Sequence, residues 1–295
     1  MKDELTASFQ EKTSIITALL HYCIIAFVIT MKRTDMAIEF GCKASREEMR
    51  GSLKRTVVDI DRALSEKTGR APGRYITLET SAVREGDRAG YLTVSEQIAK
   101  AIGTLTKGQN VLVVGLGNPD MTADALGKCV LDRIMITRHL NYGRETPQLS
   151  AVCPNVLGVT GIESYDIVKG VTDRVKPDCV IAVDSLAGAA VSRIASAFQI
   201  SNAGITPGSG VSNHRERLDK RSLGCTVISL GVPLVVYAST IIEDAYGGKA
   251  EEYDERIGTM IVTPKDIDLY VADCAEILAR AINLAFFGTD FDGMV

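Results

Sequence analysis

Residues 111–114 are an unbroken apolar, largely β-branched run that closes on Gly115-Leu116-Gly117. A run apolar on both faces and ended by glycines predicts a central parallel strand that delivers its carboxyl end to a turn and then a helix, here from about Ala123. Residues 179–183 repeat the pattern and end on Asp184. Residues 74–80 alternate well enough for a strand; 149–156, 198–201 and 225–230 are shorter candidates. Helical spacing runs over 94–105, where Thr93 and Glu96 predict a capping box. It recurs over 164–175, with Ile167, Val168 and Val171 inward and Pro177 as the stop, and over 187–197. A last helix starts near Thr263-Pro264 and Asp266 and runs to about Phe287, with Ile267, Val271, Ala275, Leu278 and Ile282 on one face.

Elsewhere the pattern is weak. Residues 33–48 have no clean period, and 49–67 read as a helix or a mobile arm. Residues 204–213 hold too much Gly, Pro and Ser to be regular. Residues 14–31 are uncharged and mostly apolar, at the lower limit of a membrane span. Lys32 and Arg33 follow, so a genuine span would leave the large domain on the cytoplasmic side, and membrane contact depends on that leader being real. The preferred expectation is that translation starts at Met31 and that the rest of the hydrophobic leader 1–31, its first thirty residues, is an artefact of start-site choice. Strands alternating with helices predict an α/β fold: a mostly parallel or mixed central sheet with helices on both faces, as one domain over 32–295.

Composition narrows the function classes. At 46% apolar residues the chain has ample material for a core. A formal net charge of −4, without a basic run interleaved with aromatics, speaks against a nucleic-acid footprint. Seven scattered cysteines with no C-x-x-C suggest reduced thiols in a cytosol. His21, His139 and His214 lack metal-ligand spacing, so neither metal nor cofactor is expected. Gly115-Leu116-Gly117 is no dinucleotide fingerprint, because Asp120 stands where the third glycine would fall. Pro207 breaks a nucleophile elbow around Ser209.

That leaves carboxylates. Asp124 in a helix first turn has an ordinary reading as a cap or dipole partner. Asp184, at the mouth of an apolar strand, has one as a cap for the next helix. Glu163 and Asp166 read as caps, and Asp120 as a ligand or turn residue. The alternative for the first two is chemical. Two aspartates brought together cannot both ionise cheaply, so they share a proton, one acting as base toward water and the other donating to a carbonyl. The helix N-terminus would favour ionised Asp124, leaving Asp184 as the protonated partner.

Several segments carry a family resemblance. They are Arg33-Thr34-Asp35-Met36-Ala37, residues 73–79, Val114-Gly115-Leu116-Gly117-Asn118 with residues 122–127, Thr137-Arg138-His139-Leu140, residues 158–163, residues 181–187, Gln199-Ile200-Ser201, residues 207–211 and Val262-Thr263-Pro264-Lys265. In order and over nearly all of 32–295, they resemble the germination proteases of spore-forming bacteria, endopeptidases that degrade small acid-soluble spore proteins. The resemblance implies an atypical aspartic peptidase with a fold like that of the hydrogenase maturation proteases. Its catalytic aspartates would be Asp124 and Asp184. It would be made as a self-processing zymogen, assembled as a homotetramer, and located in the cytoplasm of the forespore or spore core.

The expected propeptide is about 32–35, cut between Asp35 and Met36 with Glu39–Phe40 as the fallback, on the premise that this segment is unordered and easily threaded. The chain departs from the family pattern at Thr206, at Asn202, in a short 245–260 region and in its leader. The alternatives are a hydrogenase-maturation-type endopeptidase and a non-catalytic α/β binding domain.

Overall fold

A computed structural model describes residues 34–40, 42–140, 146–208, 216–246 and 255–288. The expectations for 1–31, Lys32, Arg33, His21, His214 and residues 209–213 of the glycine-rich loop lie outside those residues. Strands β1 (Arg46–Arg50) and β2 (Leu53–Ile60) form an antiparallel hairpin, followed by helix α1 (Arg62–Thr68) and strand β3 (Gly73–Glu79). Helix α2 (Arg88–Leu105) leads into β4 (Asn110–Gly115), then α3 (Leu126–Leu131), β5 (Gln148–Val152) and α4 (Ser164–Val175). Strands β6 (Cys179–Gly188), β7 (Ala197–Ser201) and β8 (Thr226–Tyr237) come next. Helix α5 (Ala238–Ala245), strand β9 (Ile261–Val262) and helix α6 (Ile267–Phe287) follow among the described residues.

The strands make one mixed sheet in the order β1-β2-β3-β7-β8-β6-β4-β5, with β9 pairing on β8. Strands β5, β4, β6 and β8 are mutually parallel, and β1, β2, β3 and β7 are joined antiparallel. Alternate residues of the parallel strands feed two cores. Val111, Val113, Ile181 and Val183 pack with α2, α3 and α6, while Leu112, Val114, Val180 and Ala182 pack with α4. Burial on both faces is why these strands read as continuous apolar runs. The expected α/β sheet with helices on both faces is the observed architecture.

The topology fixes where a site can lie. From β4 the chain passes outward through α3 to β5, then returns through α4 to β6 on the other side of β4. The direction of winding reverses between β4 and β6, and ligands in open α/β sheets bind at the carboxyl ends of strands at such a point.

Four local readings need correction. Residues 49–67 are no single helix or arm, because β1, β2 and α1 occupy them; β1 lies at the sheet edge and shows its charges to solvent. Helix α2 begins at Arg88 on an Asp87 cap, whose side chain accepts from Ala89 N at 3.1 Å, so Thr93 sits inside the helix and not at its start. Residues 187–197 are not a helix but the end of β6, a short 3-10 turn and the start of β7. Strand β6 does not stop at Val183: it runs on to Gly188 and places Asp184 mid-strand. The polar and small residues Asp184, Ser185 and Gly188 read as an end, yet pairing with β8 carries the strand past them through a bulge at Leu186/Ala187. That bulge faces Pro233 and accommodates proline within a central strand.

Candidate active site

The site begins where β4 stops. Gly115 is the last β4 residue in register with β6, opposite Val183, and Leu116 N donates to Val183 O at 2.8 Å. Gly117 then turns the chain at φ +92, a conformation that disfavours any Cβ. A Cβ there would lie 2.2 Å from Asp124 O and 2.7 Å from Asp124 Oδ1. Gly115 and Gly127 meet in the same way: a Cβ on Gly115 would come within 2.7 Å of the Gly127 backbone. The Gly-Leu-Gly segment therefore lets the start of α3 and the preceding turn lie directly on the strand end. Asp124 closes that 3-10 turn, Thr122–Asp124, and its Oδ2 accepts from Asn118 N at 2.7 Å.

Asp184 stands beside this turn. It is only 8% exposed, and its Oδ1 accepts from Ser185 N at 2.9 Å. Burial, then the charge of Asp124, then that of Asp35, hold its carboxyl well above the usual carboxylate range; the Ser185 N–H opposes this weakly. Burial also raises Asp124, against the pull of the Asn118 N–H. Burial thus raises both carboxyls, Asp184 the more strongly.

The structure brings Asp35 to the same place, and the premise of an unordered segment at 34–40 is not met. Asp35 N donates to Ala187 O at 2.8 Å, and Ala187 N donates to Asp35 Oδ2 at 2.9 Å. Met36 is fully buried against Leu186 and Ala197. Gln199 Oε1 accepts from Ala37 N at 2.7 Å, and Gln199 Nε2 donates to Asp35 O at 3.2 Å. Glu39 accepts from Ala189 N at 2.7 Å and from Thr34 Oγ1, and pairs with Arg193 at 2.7 Å; Arg193 also holds Glu79 at 3.1 Å. Arg70 donates to Thr34 O and lies over the Phe40 ring, 4.0 Å from its centroid. The fallback pair Glu39–Phe40 is thus tied to Arg193 and Arg70.

The other singled-out residues lie outside this cluster. Asp120 is exposed in the turn, with its N–H on Asn118 Oδ1 at 3.0 Å. Glu163 is the N-cap position of α4 and Asp166 lies in its first turn. His139 is exposed. Among the described residues no group of three His, Cys, Asp or Glu side chains is placed to hold a metal ion. Asp35 as a neighbouring charge and Gln199 as a clamp were not singled out from the sequence. Only the presence of both residues in resembling segments pointed their way.

A protein-family profile described as germination protease matches residues 30–247. The germination protease of Caldanaerobacter subterraneus is 38% identical, over 86% of this chain and 93% of its own length. That of Bacillus cereus is 39% identical over 86% and 93%, and that of Clostridium perfringens 33% over 86% and 94%. A NiFe hydrogenase maturation protease from Thermococcus kodakarensis superposes with a TM-score of 0.37 at 18% identity, covering 62% of this chain and 99% of that one. The fold and site are those of an α/β protein with paired carboxylates at a sheet switch point. The chain belongs to the germination protease family. It is accordingly a peptidase, a hydrolase of peptide bonds.

Proposed function

We propose that this chain is an endopeptidase of spore germination that uses Asp124 and Asp184 as a catalytic dyad on small acid-soluble spore proteins. The observation that carries the reading is the buried Asp184 carboxyl, raised by burial and by Asp124. Asp124, held by the Asn118 N–H, is the ionised partner. Water attacks the scissile carbonyl carbon and gives a proton to Asp124, while the proton of Asp184 passes to the carbonyl oxygen. The resulting diol returns a proton to Asp184 as the C–N bond breaks and Asp124 protonates the leaving nitrogen. Both carboxyls end as they began.

The same reading makes the chain a zymogen. The segment 34–40 lies against the site, and we propose self-cleavage between Asp35 and Met36. Further proposals are assembly as a homotetramer and residence in the forespore or spore core. Among the described residues no helix is long and apolar enough to cross a membrane.

The test is cleavage of a small acid-soluble spore protein by Asp124→Asn, Asp184→Asn and the double variant, with and without a chelator. Each single change is expected to cost roughly 10²–10⁴ in rate, the range for general acid–base catalysis. The double variant should be little worse, because residues acting as a unit are non-additive. Strong activity in either single variant would remove the dyad. Loss on chelation that is restored by a metal would favour the hydrogenase-maturation type of mechanism, and unchanged peptide binding without cleavage in the parent chain would favour a binding domain.

A further inference from the structure

Three residues share one row across the sheet: Asp184 on β6 pairs with Gly231 on β8, and Gly231 pairs with Gln199 on β7. Paired residues of neighbouring strands project to the same face. The adjacent row, Val183, Leu230 and Ile200, enters the large helical core, so the row of Asp184 and Gln199 faces the other way. Asp184 and Gln199 stand two strands apart, roughly 9.5 Å at the backbone. The residue between them has no side chain. A Cβ on Gly231 would lie 2.5 Å from Leu186 Cδ1, so glycine there lets Leu186 fold over the row and form, with Ala197, the bed of Met36. The row is a trough walled by a carboxyl on one side and a carboxamide on the other, with the peptide Asp35-Met36-Ala37 laid against it.

Gln199 grips that peptide on both sides of one bond. An N–H can only donate and a carbonyl can only accept, so the contacts to Ala37 N and Asp35 O fix which end of the amide is oxygen and which is nitrogen. The carbonyl that receives Nε2–H belongs to the Asp35–Met36 peptide bond. We propose that Gln199 is a catalytic residue: its Nε2–H binds the carbonyl oxygen of the scissile bond and stabilises the negative charge that develops there as water attacks, while its Oε1 holds the N–H one residue beyond. The inference rests on the dyad reading and on Asp35–Met36 as the bond cut in self-processing. Carbonyl oxygen has two lone pairs, so one can accept from Gln199 while the other takes the proton of Asp184. A donor fixed in place before reaction works without reorganisation, and the 3.2 Å contact has room to tighten as charge accumulates.

The test uses the full chain and follows the first-order appearance of a new terminus at Met36 by intact-mass spectrometry and N-terminal sequencing, from pH 5 to 8. Gln199→Glu keeps an acceptor for Ala37 N–H but sets an anion against the carbonyl oxygen. It is expected to process about 10²–10³ times more slowly at neutral pH, the range for loss of one oxyanion donor. Its rate relative to the parent chain should recover as pH falls, because the introduced carboxyl, once protonated, regains an O–H donor; a purely structural role would leave that ratio flat. Gln199→Met, similar in shape and without a donor, should stay slow at every pH, and it decides the matter if the glutamate variant does not fold. Parent-like processing by folded Gln199→Met would overturn the assignment. So would maturation of the parent at a bond other than Asp35–Met36, since the clamp would then hold no scissile bond. Asp184→Asn is run alongside. If it processes normally, the dyad fails; if it is dead while the folded Gln199 variants are normal, only the role of Gln199 falls.

Discussion

In the parallel half of the sheet, β4 and β6 are buried on both faces, and β4 stops and β6 bulges close to where the charge of Asp124 acts on Asp184. In the antiparallel half, β1 shows four charged side chains at the edge, while β2, β3 and β7 contribute residues to the core. The first half positions charge. Strand β6 brings one carboxyl into the interior, the turn after β4 carries the second, and Gly115, Gly117 and Gly127 let that turn lie close on the sheet. The second half positions peptide. Gln199 and Arg193 come from β7 and the turn before it, and together with Ala187 at the end of β6 and Ala189 just after it they hold the chain segment 34–40 by main-chain and side-chain bonds. A carboxyl pair in a parallel sheet needs such a second surface, because the strand ends provide burial and field but few groups that orient a substrate backbone.

The largest effect should come from breaking the first half at its tightest point. Gly117→Ala places a Cβ at 2.2 Å from Asp124 O in a backbone conformation of φ +92. Left-handed strain and overpacking each cost about 1–3 kcal/mol, so a loss of roughly 3 kcal/mol in unfolding free energy is expected. Asp124 must also move, and peptidase activity should fall with it. Urea denaturation and a cleavage assay on the same preparation check both. Parent-like activity in Gly117→Ala would mean that the turn does not set the position of Asp124.

A smaller effect, opposite in sign, separates chemistry from stability in the same half. Asp184 has its folded carboxyl pKa raised above the unfolded value. The folded state therefore holds more protons than the unfolded state between those two values, and stability declines as pH rises through that window. Asp184→Asn removes the titration. The variant should be more stable than the parent at pH 7, by roughly 1–3 kcal/mol as for a buried polar group that is poorly compensated, and the gain should shrink toward pH 4. Denaturation midpoints at both pH values provide the measurement. A variant less stable than the parent at pH 7 would show that the buried carboxyl is fully compensated.

The two halves were also unequally legible. Strands β4 and β6 announced themselves because burial on both faces leaves a continuous β-branched run, and Asp124 and Asp184 were singled out from their place at the ends of such runs. The extension of β6 through Asp184, Ser185 and Gly188 was hidden, because those residue types end most strands and only pairing with β8 keeps the chain extended. The β1–β2 hairpin was hidden for a different reason: an edge strand rich in Arg and Glu has no apolar alternation to read. Gln199 could not be tied to Asp184 at all. Their relation runs through Gly231, and a register between three strands distant in sequence leaves no local pattern. Met36 and Asp35 were legible as a cleavage junction but not as an ordered segment, since the bonds that tie residues 34–37 to β6 and β7 come from residues more than 150 positions away.

The smallest effect belongs to the outer part of the antiparallel half, and it tests whether that region is remote from function. Asp59 and Arg74 face each other across β2 and β3, with Arg74 Nε on Asp59 Oδ1 at 2.7 Å and Ser45 Oγ on Asp59 Oδ2 at 3.0 Å. The hydrogen bond from Arg74 holds the Asp59 carboxyl below its ordinary range. Its folded pKa is thus depressed, so the pair contributes stability above the unfolded carboxylate value and loses it as pH falls through the folded one. Both side chains are about half exposed, at 54% for Arg74 and 44% for Asp59, and solvent screens most of their attraction. Asp59→Ala should cost no more than about 1 kcal/mol at pH 7, less in high salt and nothing near pH 2. Cleavage should be unchanged, because the side-chain bonds of this pair among the described residues run to Ser45 and to each other, and only the Arg74 main chain, which Asp59→Ala leaves in place, bonds Asn202 beyond β7. A stability loss several times larger, or any marked fall in activity, would mean that the β1–β2–β3 edge is coupled to the trough, and that the division of labour between the two halves is less sharp than their contacts indicate.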